Sequence, residues 1–121
     1  TARVSAGFPS PADDFIDRAL DLNEFLIEHP AATFFVRVEG TSMIGAGIHP
    51  GDILIVDRAL EPSPGSIVVA VLDGEFTVKR FQFSGGRPCL MAENAEFPPI
   101  ELNADMTVEI WGVVTYVIHK A

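Results

Sequence analysis

The chain is poor in cysteine, in basic side chains and in long apolar runs, and each scarcity closes off a class of protein. Among its 121 residues Cys89 is the one cysteine. No internal disulfide can form, which excludes a small disulfide-stapled domain and fits a reducing compartment. Cys89 is expected to serve as a small buried apolar residue. Lys and Arg number 8 against 17 Asp and Glu, a formal net charge of −9. Such a surface repels a phosphate backbone, and only Lys79 and Arg80 among the basic residues are adjacent. Direct nucleic-acid binding is therefore not expected, and partners are expected to be proteins. No stretch of about 18 apolar residues and no charged-then-apolar leader occurs, so neither a membrane span nor a secretory signal is read. The simplest reading is a soluble protein of the cytoplasm. His29, His49 and His119 are too dispersed to suggest a metal cluster, and they read as capping or surface residues; no metal and no cofactor is expected.

What the chain does have is apolar content. Hydrophobic residues make up 48% of it, enough for one domain with a core and too short a length for two. Residues 1–9 offer few apolar anchors and read as a mobile arm, leaving 10–121 as a single domain. Ser10-Pro11-Ala12-Asp13 has the form of a capped helix start, followed by Phe15, Ala19 and Leu22 at helical spacing. A second box, Asp21 to Glu24, opens Phe25 to His29, with Pro30 as the stop. One or two short helices are thus predicted between residues 11 and 29.

After Pro30 the period changes to that of strands. Segments 33–39, 52–57, 66–72 and 76–83 are rich in β-branched and aromatic residues and are bounded by Gly, Pro or Asp. Asp73-Gly74 is a two-residue hairpin signal. Further strands are read at 87–93 and 108–118. The predicted fold class is mainly β, with a short helical N-terminal segment. Residues 110–118 are apolar apart from Thr115, so this last strand is expected to be covered on both faces by core or by a partner subunit, and its run 110–114, Trp111 included, is expected to contribute to a homodimer interface.

Two residues carry the candidate chemistry. Ser42 lies in a loop holding Gly40, Gly45, Gly47 and Gly51, where backbone amides can approach a bound group closely. Those of Ser42 and Met43 are the natural oxyanion donors. Lys79 shares a strand face with Thr77, Phe81 and Phe83. An apolar setting would leave it a neutral amine able to take the serine proton, with Thr77 placed to orient it. Ala6-Gly7, small and flexible, is a natural bond to cut. Each feature also has a purely structural reading: a Gly-Ser loop is usually a turn and a strand lysine usually faces solvent. Asp52 reads as a turn former, and Glu93-Asn94-Ala95-Glu96 as a solvated loop.

Gly40-Thr41-Ser42-Met43, then Gly51 to Asp57, then Gly74 to Lys79, is a pattern that resembles the LexA/UmuD family of self-cleaving Ser-Lys proteins. Gly7-Phe8-Pro9-Ser10-Pro11-Ala12 and the stretch from Asp21-Leu22-Asn23 to His29-Pro30 point to its UmuD branch. The resemblance implies a LexA- and signal-peptidase-like β-rich catalytic domain with Ser42 as nucleophile, Lys79 as general base and Ala6-Gly7 as the bond cut. It also implies a homodimer, cleavage stimulated by a RecA filament on single-stranded DNA, and a trimmed product that joins a UmuC-type Y-family polymerase in SOS mutagenesis. In the UmuD branch cysteine more often precedes the glycine, and Ala6 resembles the LexA type, which leaves the cleavage rate open. A LexA-type or phage repressor would carry a helix-turn-helix domain where only six residues precede Gly7 here. A signal peptidase would need a membrane anchor. A non-catalytic polymerase-docking module would use the same fold without the chemistry.

Overall fold

A run of β-branched residues cannot satisfy its backbone alone, and here each such run finds antiparallel neighbours. The computed structural model describes residues 19–121 together with Gly7. The rest of the expected arm, Ala6 included, and the Ser10–Asp13 helix start lie outside the described residues. Seven strands follow one another: β1 (Thr33–Arg37), β2 (Ile53–Asp57), β3 (Ile67–Leu72), β4 (Glu75–Ser84), β5 (Arg87–Met91), β6 (Ile100–Glu101) and β7 (Val108–Ile118). They form one antiparallel sheet in the order β1-β2-β7-β3-β4-β5-β6. The fold is mainly β, as the sequence periodicity predicts.

Local chemistry explains the turns and the helix. Asp73 (φ 48) and Gly74 (φ 85) adopt the left-handed backbone that a two-residue hairpin demands, and Leu72 pairs with Glu75 across it. The helix α1 (Leu22–Leu26) begins where the Asp21 carboxylate accepts from the amides of Asn23 (3.0 Å) and Glu24 (3.4 Å). It ends sooner than the sequence predicts. Ile27 is already extended, and Pro30 does not stop the helix but opens the short 3-10 turn Pro30–Ala32. The residue before a proline is pushed out of helical backbone, and His29 (φ −124, ψ 82) obeys that constraint. Its ring is held by the buried Asp57 carboxylate, Nδ1 to Oδ2 2.6 Å. Burial works to raise the Asp57 pKa, but the bonds from His29 and the Ala59 amide prevail and hold it below its ordinary value. The His29 pKa is raised, chiefly by the same hydrogen bond.

Two apolar clusters lie on the two faces of β3. Val38, Met43, Ile48, Leu54, Val56 and Val69 form the first, with Trp111 and Val114 packed against it. Val68, Ala70 and Leu90 form the second, with Phe81, Ile100, Ile110 and Val113. Because side chains alternate along a strand, both faces of β3 and of the first part of β7 are occupied from within the chain. Trp111 itself is covered by its own chain, edge-on to Phe34 (6.0 Å) and Phe76 (5.2 Å), with the Arg58 guanidinium 4.5 Å from its ring centre. The unpartnered apolar surface falls further along, at Tyr116, Val117 and Ile118.

The sheet also curls. In the strand order β4 stands four places from β1, roughly 19 Å in a flat sheet. Yet the loop after β1 touches β4 (below), so the first cluster is wrapped rather than merely covered. Gly112 permits this at the seam between β2 and β7. A Cβ there would lie 2.7 Å from Val56 Cγ1 and 3.0 Å from the Asp57 carbonyl oxygen. Gly112→Ala is expected to destabilise the fold by about 1–3 kcal/mol through overpacking. Urea unfolding followed by fluorescence measures this, and an unchanged midpoint would contradict the account.

Candidate active site

The Ser42 loop is a long excursion between β1 and β2 that is pinned at its base and at its centre. At the base Val38 N donates to Asp52 O (2.8 Å) and Gly51 N to Val38 O (2.9 Å). At the centre Met43 and Ile48 are buried in the first cluster, and Met43 O accepts from the amides of Ala46 (3.0 Å) and Ile48 (3.3 Å). Gly47, left-handed at φ 79, closes the 3-10 turn Ile44–Ala46. With Met43 drawn into the core, the neighbouring Ser42 is held at the surface of the fold, half-buried.

Lys79 reaches it from β4, where it pairs with Val68 of β3. Its side chain is only 8% exposed. The amine donates to Ser42 Oγ (3.0 Å) and to the Val78 carbonyl oxygen (3.2 Å), and among the described residues no carboxylate pairs with it. Burial without a compensating negative charge disfavours the ammonium and lowers the Lys79 pKa. Once the proton has left, the same contact can reverse, with Oγ donating to the amine. That is the geometry a general base needs.

A cavity of about 380 Å³ opens over the pair. Val36, Val38, Val69 and Phe76 make its apolar wall, and its lining also includes the charged Arg37 and Glu39 together with Thr41, Ser42, Thr77, Lys79 and Phe97. Thr77 stands in this wall but forms no hydrogen bond to Lys79; the Val78 carbonyl occupies that role. Phe81 and Phe83, on the Lys79 face in the sequence pattern, meet edge to face at 5.4 Å, and Phe81 joins the second cluster. The amides of Ser42 and Met43 carry no hydrogen bond to another described residue. Gly7 is exposed with φ 104, and its partner in the expected scissile bond, Ala6, lies outside the described residues.

Sequence reasoning missed three contacts around the loop. Asp52, a turn former in that it accepts His49 N at 2.9 Å, is also buried and bonded to His119 Nδ1 at 2.6 Å. The two imidazole rings lie 5.4 Å apart. The His49 amide, followed by the His119 ring, holds the Asp52 pKa below its ordinary value. No group of three potential metal ligands forms among the described residues. Glu93 and Asn94, read as a solvated loop, instead touch the loop that carries Ser42. Such pairs join residues far apart in the chain and leave no local pattern to find.

Comparison with known proteins follows the same segments. A family model described as peptidase S24-like matches residues 1–115. The protein MucA of Salmonella typhimurium is 53% identical over 115 residues, which cover 94% of this chain and 78% of MucA. SamA of Salmonella typhimurium is 50% identical over 123 residues, covering 99% of this chain and 83% of SamA. The LexA repressor of Pseudomonas chlororaphis is 41% identical over 119 residues, 98% of this chain and 58% of the repressor. With a family match across both Ser42 and Lys79 and relatives at this identity, the chain belongs to the peptidase S24-like family.

Proposed function

We propose that the chain is a self-cleaving serine peptidase of the Ser-Lys type, acting on its own Ala6–Gly7 bond. The observation that carries this reading is the 3.0 Å contact between Ser42 Oγ and a buried lysine that pairs with no carboxylate among the described residues. Neutral Lys79 takes the Ser42 proton as Oγ attacks the Ala6 carbonyl, and the amides of Ser42 and Met43 serve as donors to the oxyanion that develops. Collapse breaks the C–N bond, Lys79 returns the proton to the Gly7 nitrogen, and water then hydrolyses the Ser42 ester of residues 1–6. Thr77, in the cavity wall, acts on the packing around the lysine rather than through a bond to it.

The biological setting rests on the resemblance to the UmuD branch, supported by greater identity to MucA and SamA than to the LexA repressor. In this reading a RecA filament on single-stranded DNA stimulates cleavage in the cytoplasm. The trimmed homodimer then serves a UmuC-type Y-family polymerase in SOS mutagenesis. Contacts with DNA fall to those partners, in keeping with the net charge of −9. No helix among the described residues is long and apolar enough to cross a membrane.

The reading as a homodimer has support in β7. Its pairing with β3 ends at Val113, whereas its pairing with β2 continues to Ile118. Residues 114–118 therefore have one edge that no described strand covers, and Tyr116 (42% exposed) and Ile118 (46%) project from it. Phe35, in register with Tyr116 through Ile55, and Phe25, 6.4 Å from the Tyr116 ring, extend the apolar patch. An open edge with apolar neighbours favours pairing with a second copy.

Two outcomes follow. At alkaline pH the intact chain should release a product beginning at Gly7, with the rate rising about tenfold per pH unit below the Lys79 pKa, because the neutral amine is the active form. Mass spectrometry should find no such product from Ser42→Ala or Lys79→Ala; its appearance at the same rate in Ser42→Ala would remove the assignment. In sedimentation at micromolar concentration the protein should run as a dimer, and Tyr116→Lys should weaken association at least tenfold, about 1.4 kcal/mol, without changing circular dichroism. A monomeric parent protein would contradict the interface.

A further inference from the structure

Arg80 follows Lys79 on β4, so its side chain leaves the opposite face of the strand. There its Nε forms an ion pair with the Glu93 carboxylate and its Nη1 donates to the Gly65 carbonyl oxygen at 2.6 Å. The guanidinium thereby fixes residue 93, and residues 93–97 return toward the Ser42 loop. Glu93 O accepts the Gly45 amide at 2.7 Å, an approach so close that any side chain at Gly45 would collide with that carbonyl. Thr41 O accepts two hydrogen bonds, the shorter from Asn94 Nδ2 at 2.9 Å and the longer from the Ile44 amide at 3.3 Å. The remaining groups of Asn94 lock it in a turn: Oδ1 accepts from Glu96 N (3.1 Å) and the main-chain oxygen from Phe97 N (3.0 Å). The turn ends on Phe97, part of the cavity wall.

The consequence lies in the peptide unit between Thr41 and Ser42. That unit is planar, and its carbonyl and amide point in opposite directions. Holding the Thr41 oxygen therefore sets where the Ser42 N–H points. We propose that Asn94 is a positioning residue for Ser42: by gripping the Thr41 carbonyl it aims the Ser42 amide at the developing oxyanion, and the Arg80–Glu93 pair holds the turn that carries it. This rests on the reading of Ser42 and Lys79 as the reacting pair. Preorganised donors lose much of their value when misdirected, and small displacements at a reacting centre cost large factors in rate.

The position separates this role from that of the base. Asn94 bonds neither Lys79 nor Ser42 Oγ, so its loss should leave the proton equilibrium of the amine alone and lower only the rate reached once the amine is neutral.

The test is the pH–rate profile of self-cleavage in the full chain, run for the parent, Asn94→Ala, Asn94→Asp, Arg80→Ala, Arg80→Lys and Ser42→Ala, with circular dichroism on each. Asn94→Ala is expected to lower the alkaline plateau at least tenfold with an unchanged pH midpoint. Asn94→Asp keeps the acceptor for Glu96 N, and hence the turn, but opposes one oxygen to another at Thr41; its plateau should fall at least as far. Arg80→Lys should recover part of the rate lost in Arg80→Ala. A plateau equal to that of the parent in both Asn94 variants, with Ser42→Ala inert, would overturn the positioning role alone. Loss expressed wholly as a shifted midpoint would do the same. Cleavage persisting in Ser42→Ala would overturn this role together with the reading it rests on.

Discussion

The arrangement depends on keeping one lysine amine out of water without giving it a counter-ion. A buried ammonium is costly, and a neighbouring carboxylate would restore its ordinary basicity and remove its use as a base. Lys79 is nearly buried and meets no carboxylate among the described residues; it meets a serine hydroxyl and a carbonyl oxygen. Those two acceptors are adequate for an amine and insufficient for a comfortable cation. The fold then has to bring a residue of the fourth strand to a loop that follows the first. Curling the sheet around Val38, Met43, Ile48, Leu54, Val56 and Val69 does this, and Met43 joins the two tasks, being both core residue and neighbour of Ser42.

The Ser42 loop is held by groups that come from distant parts of the chain. His119, just beyond β7, grips Asp52 at the foot of the loop across a separation of 67 residues, and Asn94 grips Thr41 across 53. A glycine-rich loop left to itself samples many conformations. These contacts confine it. The strand whose edge no described strand covers is thus followed directly by a residue bonded to the base of the site loop, so the proposed assembly surface and the candidate active site share one continuous piece of structure.

Much of this was legible in the sequence because strands and turns announce themselves locally. The β-branched runs ending at Asp57, Leu72 and Ile118 give β2, β3 and β7 to within a residue at each end, and Asp73-Gly74 gives the hairpin. Asp21 gives the helix cap. The stop at Ile27 was not legible, since it reflects the pre-proline constraint on His29 and the grip of Asp57, 28 residues away. Nor was β6, two residues long beside a pair of prolines. At the site, Ser42 and Lys79 stood out by motif and by residue type, whereas the Val78 carbonyl, the histidine–aspartate pairs and the Glu93–Asn94 contacts depend on tertiary approach. The run 110–114 reads as apolar on both faces, but the sequence does not reveal that the two clusters of the chain itself would use Ile110, Trp111, Val113 and Val114.

The central claim is that burial lowers the Lys79 pKa and so favours the neutral amine. Its titration can be followed directly by NMR of the Lys79 side chain, isotopically labelled at Cε and Nζ, in the Ser42→Ala protein so that the chain stays whole during the experiment. The account predicts a midpoint displaced clearly below that of an exposed lysine, returning toward it on unfolding in urea. A Lys79 midpoint that is the same in the folded and the urea-unfolded protein would contradict it.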